Sequence, residues 1–265
     1  MTWMQIIVLS IVQGITEFLP ISSSGHLILV PAFLGWTDQG IFFDVALHAG
    51  SLLAVCVYFR HDLIRILYGS VDLFMQVPNS PESKLAAGIA LATVPAVIGG
   101  LFFSEWIGQN LRGPIVVSFA LAFYAVLMWF ADFFASRKRK ITEIKLGDAF
   151  LIGLAQALAL IPGTSRSGIT ITAGLMLGMR RRDATKFSFI LSIPVILLAA
   201  GYEFLRMLFS EEIIIWQQLF GAMFLSSVVA YISISFFMRI VSKIGLIPFV
   251  IYRLFLAGII VYVFI

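Results

Sequence analysis

Residues 13–26 read QGITEFLPISSSGH and residues 162–168 read PGTSRSG, and these two polar stretches decide how the chain folds. Each lies in the middle of an apolar region, the first at 1–36 and the second at 149–179. Proline, glycine and serine in close succession break a helix and favour a turn. The apolar arms on either side are shorter than the about 20 residues that a membrane-spanning helix needs. Each region is therefore predicted to form a re-entrant helical hairpin.

The composition predicts an integral membrane protein. Of 265 residues, 60% are hydrophobic and only 12% are charged, whereas soluble domains carry about 25% charged residues. The apolar content excludes a disordered chain, and the single cysteine, Cys56, excludes a disulfide scaffold. The net charge of +4 is better explained by basic cytoplasmic loops than by nucleic acid, for which the sequence carries no motif.

Six further apolar stretches are long enough to cross a bilayer. The predicted spans are 43–59, 85–103, 115–135, 187–205, 214–237 and 246–265. The predicted fold class is therefore all-α: a polytopic membrane protein of about six transmembrane helices plus two re-entrant helical hairpins in an inverted repeat.

The basic residues predict the orientation of the chain. If the run RKRK at 137–140 is cytoplasmic, 14 of the 18 Lys and Arg residues lie in cytoplasmic loops. The outer loops then keep Arg112 and Arg206, and Arg166 and Arg253 lie within the membrane. This asymmetry agrees with the positive-inside rule and predicts that both termini lie outside.

The two halves of the chain resemble each other. A shift of 143 residues aligns Gln13 with Gln156, Ser22 with Ser165, Ser24 with Ser167 and Gly25 with Gly168. We therefore predict one membrane domain over 1–265, with inverted repeats at about 1–135 and 148–265. Inverted repeats with broken helices place the breaks face to face near the membrane midplane.

The first hairpin carries residues suited to an anion site. Gln13 and Glu17 are four residues apart and share one helix face. The serines 22–24 follow Pro20 and are predicted to cap a second helix that begins near Gly25. The free N–H groups at that helix start, with the three hydroxyls, are typical of an anion-binding site.

The second hairpin repeats this pattern and adds a cation. It supplies Thr164, Ser165, Ser167 and Gly168, together with the guanidinium of Arg166. Two helix N-termini and one arginine predict a site for a multiply charged anion, and a diphosphate fits. Glu17 would serve a metal ion or a proton, and His26 would be a titratable group. A serine could be the nucleophile if His26 took its proton.

Other interpretations of these residues remain open. The serines could only cap a helix, His26 could be a hydrogen-bonded packing residue, and Glu17 with Arg166 could form a purely structural ion pair. Inverted repeats with broken helices are also typical of a secondary transporter or lipid flippase, and a structural scaffold is a third class. Outside the hairpins, we expect Asp44 and His48 to line the mouth of the site. We also expect Asp132 and Arg253 to be structural partners within the membrane.

Four motifs make the sequence similar to the undecaprenyl-diphosphate phosphatase family of bacteria, which is linked to bacitracin resistance. They are QGITEFLPISSSGH at 13–26, FDVALHAGSLLAV at 43–55, PGTSRSG at 162–168 and FSFILSIP at 187–194. The resemblance implies a hydrolase in the bacterial plasma membrane that removes the terminal phosphate of undecaprenyl diphosphate. The product would be the monophosphate that carries cell-wall precursors, with phosphate released on the outer side.

The resemblance also implies roles for single residues. The family's E/QxxxE motif falls on Gln13 and Glu17, its serine-rich loop on residues 22–24, its histidine on His26 and its motif arginine on Arg166. Many members carry glutamate where this chain has Gln13. Family members depend on a divalent cation such as Mg²⁺ or Ca²⁺, which suits oxygen ligands. Glu17 is then the expected metal ligand, and Ser23 the expected nucleophile. The expected partners are a polyprenyl diphosphate and membrane lipids, and no oligomer is indicated.

Overall fold

The computed structural model describes residues 1–75, 80–111, 113–209 and 215–264, which form an all-α protein. Arg112, expected in an outer loop, lies outside these residues. The α-helices within them are α1 (Trp3–Thr16), α2 (Ser23–Leu34), α3 (Ile41–Tyr58), α4 (Arg60–Phe74), α5 (Pro81–Asn110), α6 (Pro114–Phe134), α7 (Leu146–Ala157), α8 (Arg166–Met176), α9 (Arg181–Leu208), α10 (Trp216–Ile244) and α11 (Ile247–Phe264). Short 3₁₀ turns lie at Ile141–Glu143 and Leu158–Leu160.

The six predicted spans are confirmed as helices. Among the described residues, α3, α5, α6, α9, α10 and α11 are the six helices long and apolar enough to cross a membrane. Large apolar side chains cover the outside of this bundle, and Phe102, Phe119 and Phe255 are 76%, 69% and 67% exposed. Such a surface suits lipid rather than water.

Two pairs of short helices replace the spans in the regions where the sequence is broken. Helices α1 and α2 contain 14 and 12 residues, and α7 and α8 contain 12 and 11. At about 1.5 Å per residue, none of them reaches across a hydrocarbon core of about 30 Å. Both predicted breaks are thus present, each between two short helices.

Each pair of short helices packs against a long helix from the other half of the chain. Helix α1 lies against α10, and α7 lies against α5. Glycines permit the closest approaches. A methyl group on Gly50 would overlap the carbonyl oxygen of Met223, where α3 meets α10, and one on Gly153 would lie 2.5 Å from the carbonyl oxygen of Ala92, where α7 meets α5.

Helix α4 was not expected as a helix. Arg60 and Arg65 are among the basic residues that the sequence places in cytoplasmic loops. The structure shows an amphipathic helix packed on α5, with Asp62 paired to Lys186 at 2.7 Å. A search for long apolar stretches misses such a helix, because only one of its faces is apolar.

Candidate active site

The two turns have the same backbone conformation at corresponding residues. Ser22 precedes α2 with φ 75°, and Ser165 precedes α8 with φ 71°. Positive φ values are uncommon for residues other than glycine and cost about 1–2 kcal/mol. Strained residues of this kind concentrate at functional sites, and here the strain occurs at two residues that a shift of 143 aligns.

The hydroxyl groups around these turns are also arranged in parallel. The Oγ atoms of Ser22 and Ser24 lie 3.4 Å apart, and those of Ser165 and Ser167 lie 3.3 Å apart. Ser165 caps α8, because its Oγ accepts a hydrogen bond from the N–H of Gly168 at 3.1 Å. Ser22 occupies the same position before α2, but within the described residues its side chain caps no N–H group. Helix α2 begins at Ser23, two residues before the expected start at Gly25.

Glu17 joins the two hairpins at the centre of the site. Its Oε1 accepts a hydrogen bond from Nη2 of Arg166 at 2.7 Å. Its Oε2 accepts one from Oγ of Ser23 at 2.6 Å and another from Nε2 of Gln13 at 3.1 Å. The carboxylate is buried, with Glu17 only 7% exposed. The structure thus brings together four residues that the sequence singled out, from two regions about 150 positions apart.

His48 approaches the same carboxylate from α3. Its Nε2 lies 3.6 Å from Oε2 of Glu17, and its Nδ1 is hydrogen bonded to the carbonyl oxygen of Asp44 at 2.7 Å. A carbonyl oxygen only accepts, so Nδ1 carries the proton and Nε2 faces Glu17. The expectation placed His48 and Asp44 at the mouth of the site. Their i, i+4 spacing is the sequence signal that both face the same side of α3.

His26 points away from this group. Its Nδ1 is hydrogen bonded to the carbonyl oxygen of Ser22 at 2.7 Å, and its Nε2 to the hydroxyl of Tyr252 at 2.6 Å. The rings of His26 and Tyr252 stack at 5.6 Å. The hydroxyl of Ser23 therefore donates to Glu17 and not to His26, although His26 is only one helical turn further along α2.

Arg253 of α11 ties the two turns together. It is fully buried and donates hydrogen bonds to the carbonyl oxygens of Pro20, Gly163 and Thr164 at 3.4, 3.0 and 3.0 Å. Ser167 adds a direct link, because its Oγ donates to the carbonyl oxygen of Leu19 at 3.1 Å. The expectation that Arg253 and Asp132 are partners is wrong.

Asp132 pairs instead with Arg181, whose Nε and Nη2 lie 2.6 and 3.0 Å from the two carboxylate oxygens. The same carboxylate accepts a hydrogen bond from the N–H of Leu246. Asp132 lies at one end of the bundle, and Arg253 binds the turns in its interior. Apolar sequence around each residue marks both as buried but does not show which groups they meet.

A cavity of about 340 Å³ lies beside Glu17 and is lined by residues of both hairpins. Six of the expected site residues line it: Glu17, Ser22, Ser23, Ser24, Ser165 and Arg166. Asp44, His48, Gln156 and Glu203 add polar groups that were not assigned to the site itself. The other expected site residues do not line the described part of the cavity and lie behind the residues that do. They are Gln13, Gly25, His26, Thr164, Ser167 and Gly168.

The wall of the cavity offers oxygen atoms that could bind a metal ion. Within the described residues, no group of three or more His, Cys, Asp or Glu side chains is placed to hold an ion. The carboxylates of Glu17, Asp44 and Glu203 line the wall. Mg²⁺ is often bound by one or two carboxylates together with substrate phosphates, and this wall fits such an arrangement.

Comparisons with known proteins identify relatives over the whole chain. The family model described as "Bacitracin resistance protein BacA" matches residues 6–260. The chain is 48% identical to an undecaprenyl-diphosphatase of Alcanivorax borkumensis over 257 residues, which cover 97% of both chains. It is 47% identical to one of Hahella chejuensis over 269 residues, covering 100% of both chains. One of Alteromonas mediterranea is 48% identical over 263 residues, covering 99% of this chain and 98% of the relative.

Proposed function

The chain belongs to the bacitracin resistance protein BacA family, and we propose that it removes the terminal phosphate of undecaprenyl diphosphate in the cavity between its two hairpins. As a member of this family it is an enzyme, a phosphatase, and its product is the monophosphate lipid. One observation supports this location of the site: Glu17 contacts both Ser23 of the first hairpin and Arg166 of the second. A cation, a hydroxyl and a carboxylate in one cavity are the groups that phosphate transfer requires.

The cavity has room for the head of such a substrate. Its volume of about 340 Å³ lies within the range of small-molecule sites. Part of the wall is apolar, with Ile41, Val45, Leu160 and Ile196 beside the charged residues. The polyprenyl tail would stay in the surrounding lipid while the diphosphate reaches the polar end.

Arg166 and the starts of α2 and α8 would bind the phosphate oxygens. One Nη atom of Arg166 contacts Glu17, and the other donates to the carbonyl oxygen of Ser188 at 3.3 Å, so the guanidinium is held in place before substrate arrives. The hydroxyls of Ser22, Ser24 and Ser165 line the same cavity. Helix N-termini and a fixed guanidinium fork favour phosphate over monovalent anions.

Ser23 is the proposed nucleophile and Glu17 the proposed base. The Ser23 hydroxyl already donates to Glu17 at 2.6 Å, the arrangement that activates a serine. In the first step the Ser23 oxygen bonds to the terminal phosphorus and its proton moves to Glu17. The phosphoanhydride bond breaks, and undecaprenyl phosphate leaves with the bridging oxygen and takes the proton from Glu17, which is again a carboxylate. Water then hydrolyses the phosphoserine.

The contacts of His26 support a positioning role in place of proton transfer. Its ring is hydrogen bonded on both sides, to the Ser22 carbonyl oxygen and the Tyr252 hydroxyl. It would therefore hold the strained turn at Ser22, from which Ser23 starts α2. Four other residues would also shape the turns: Gly25, Thr164, Ser167 and Gly168. Gln13 would orient Glu17.

We propose Mg²⁺ or Ca²⁺ as the cofactor, held by Glu17 and by the substrate's phosphate oxygens. The oxygen donors of the wall suit these hard cations better than Zn²⁺. When bound, the ion would neutralise part of the diphosphate charge and so favour attack on phosphorus.

We propose that the cavity opens to the outer side of the bacterial inner membrane, with both termini outside. The wall includes Ile41 and Asp44 at the start of α3 and the stretch 195–203 of α9. These are the ends that the positive-inside rule assigns to the exterior. The packing of α1 on α10 and of α7 on α5 supports the inverted repeat, because exchanging the halves exchanges these pairs.

Purified protein in detergent tests the function directly. Mixed with a polyprenyl diphosphate and Mg²⁺, it should release phosphate above a heat-denatured control. EDTA should abolish the release, and Mg²⁺ or Ca²⁺ should restore it. No release in any arm would overturn the enzyme assignment. Full activity in EDTA would overturn only the cofactor, because Arg166 and the helix termini would then suffice.

The mirrored turns at Ser22 and Ser165 favour a second candidate, a transporter or lipid flippase with an anion site in the same cavity. Reconstituted vesicles separate the two. A flippase would move the lipid across the bilayer without releasing phosphate, and the phosphatase releases phosphate from lipid that stays in one leaflet.

A further inference from the structure

Two buried glutamines occupy corresponding positions in the two hairpins. Gln13 is 0% exposed and Gln156 is 2% exposed, and the shift of 143 residues that aligns the turns also aligns these two residues. In each of them the side-chain oxygen Oε1 has no hydrogen-bond partner among the described residues. A buried acceptor without a partner is costly, so such an atom is retained where a ligand or water uses it.

The two glutamines nevertheless differ in what they face. Nε2 of Gln13 donates to Glu17 and to Ser51, which commits this side chain to holding the carboxylate. Nε2 of Gln156 donates instead to the carbonyl oxygen of Ala92 at 3.4 Å. Gln156 lines the cavity, and in the described part of the wall Gln13 does not.

The fold sets the orientation of the Gln156 amide. Helix α7 approaches α5 closely because Gly153, one turn before Gln156, has no side chain to collide with Ala92. At this distance the Ala92 carbonyl can accept only from the NH₂ end of the amide. The oxygen end is therefore left for the cavity.

We propose that Gln156 is a positioning residue that holds the water for the second step of hydrolysis, an inference that rests on the proposed function. An amide oxygen only accepts hydrogen bonds, so it cannot bind the phosphate oxygens, which are acceptors as well. In a cavity built for an anion it can hold a donor, and water is the donor that the reaction needs. One water O–H donates to Gln156 and leaves a lone pair directed at the phosphorus.

The step balances with the groups already described. The water oxygen bonds to the phosphorus of phosphorylated Ser23, and the bond between phosphorus and the Ser23 oxygen breaks. One water proton reaches the Ser23 oxygen through Glu17, and the other leaves with inorganic phosphate. Gln156 gains and loses no proton, and its contribution is orientation.

The test compares Gln156→Leu, which removes the acceptor, with Gln156→Glu, which keeps one. In Gln156→Leu we expect kcat to fall about 10²-fold, because a misplaced nucleophile commonly costs this much. KM should change little. Phosphorylated protein should accumulate after acid quench when the terminal phosphate is radiolabelled. Gln156→Glu should retain kcat with a higher KM, because its charge opposes the substrate.

Controls separate this inference from the function itself. Gln217→Leu makes the same chemical change at an exposed position of α10 and should leave kcat and the phosphoenzyme level unchanged. Wild-type kcat in Gln156→Leu, or a loss of kcat without accumulated phosphoenzyme, would overturn the inference. A shifted midpoint for activation by Mg²⁺ would overturn it too, because Gln156 would then be an ion ligand. If Gln156→Leu does not fold, an equally inactive but folded Gln156→Glu would overturn it. Inactive wild-type protein would overturn the proposed function instead.

Discussion

Glu17 uses its two carboxylate oxygens differently, and this division determines what single substitutions should do. Oε1 contacts Arg166, which belongs to the other hairpin, and Oε2 contacts Ser23 and Gln13 of its own hairpin. Loss of Gln13 removes one of several hydrogen bonds to a carboxylate that stays in place. Loss of Arg166 removes the guanidinium that would meet the phosphate.

Arg166→Lys should therefore lower kcat by about 10²–10³, the usual cost of losing one donor aimed at a charged transition state. Lysine should not rescue the activity, because a point charge cannot replace the planar fork. Gln13→Ala should cost much less than Glu17→Ala, and Gln13→Glu should be tolerated. The measurement is kcat at saturating substrate for all four variants, after size-exclusion chromatography has shown that each is folded.

A specific reversal would contradict the two-hairpin site. If Arg166→Lys kept wild-type turnover while Gln13→Ala were inactive, the chemistry would be centred on the first hairpin alone. The contact of Glu17 with Arg166 would then be the structural ion pair that the sequence also allowed.

Single residues show which parts of the cavity wall can be predicted from the sequence and which cannot. Glu17, Ser23 and Arg166 could be predicted because each follows or precedes a break in an apolar region, where polar side chains gather. Gln156 and Glu203 were not assigned to the site, because their place in the wall depends on how α7 and α9 pack. Spacing along α2 likewise does not reveal that Tyr252 of α11 binds the ring of His26.

Between helices, glycine sets the closest packing distances. Gly50 lies where α3 meets α10, and the backbone of Met223 occupies the space that a methyl group would need. Gly100, in the middle of α5, has no atom within 4 Å of such a methyl group in the described structure. The two positions form a matched pair for the same substitution.

Gly50→Ala should lower the free energy of unfolding by about 1–3 kcal/mol, because backbone cannot yield as a side chain can. Gly100→Ala should be neutral or stabilise by up to about 1 kcal/mol, since alanine is the better helix former. Thermal unfolding in detergent measures both. Equal unfolding temperatures for the two variants would show that α3 and α10 are not packed as described.

The membrane-spanning helices could be predicted, but their ends could not. The predicted span 85–103 lies within the longer helix Pro81–Asn110. Polar residues such as Lys84 and Glu105 continue this helix beyond its apolar centre. Pro95 lies inside this helix and Pro194 inside α9, so proline alone did not mark a break. In the hairpins, proline broke the chain in company with several serines and glycines, and that combination was the reliable signal.

At the scale of the molecule, the distribution of charge predicts which face of the bundle meets the cytoplasm. After Cys56→Ser, cysteines at Ser136 and at Ser210 can be tested with an impermeant maleimide; Ser210 lies outside the described residues. In intact spheroplasts Ser210→Cys should be labelled and Ser136→Cys should not. Permeabilised cells serve as the control, because both cysteines should then react. The reverse pattern would overturn the predicted orientation and the proposed opening to the exterior.

Arg253 has a consequence for how the protein is made. The carbonyl oxygens of Pro20, Gly163 and Thr164 depend on a guanidinium that belongs to the last helix of the chain. During synthesis, both hairpins are therefore complete as sequence long before the group that fixes their turns has entered the membrane. A nascent chain stalled before α11 should contain every residue of the proposed chemistry and still hydrolyse nothing.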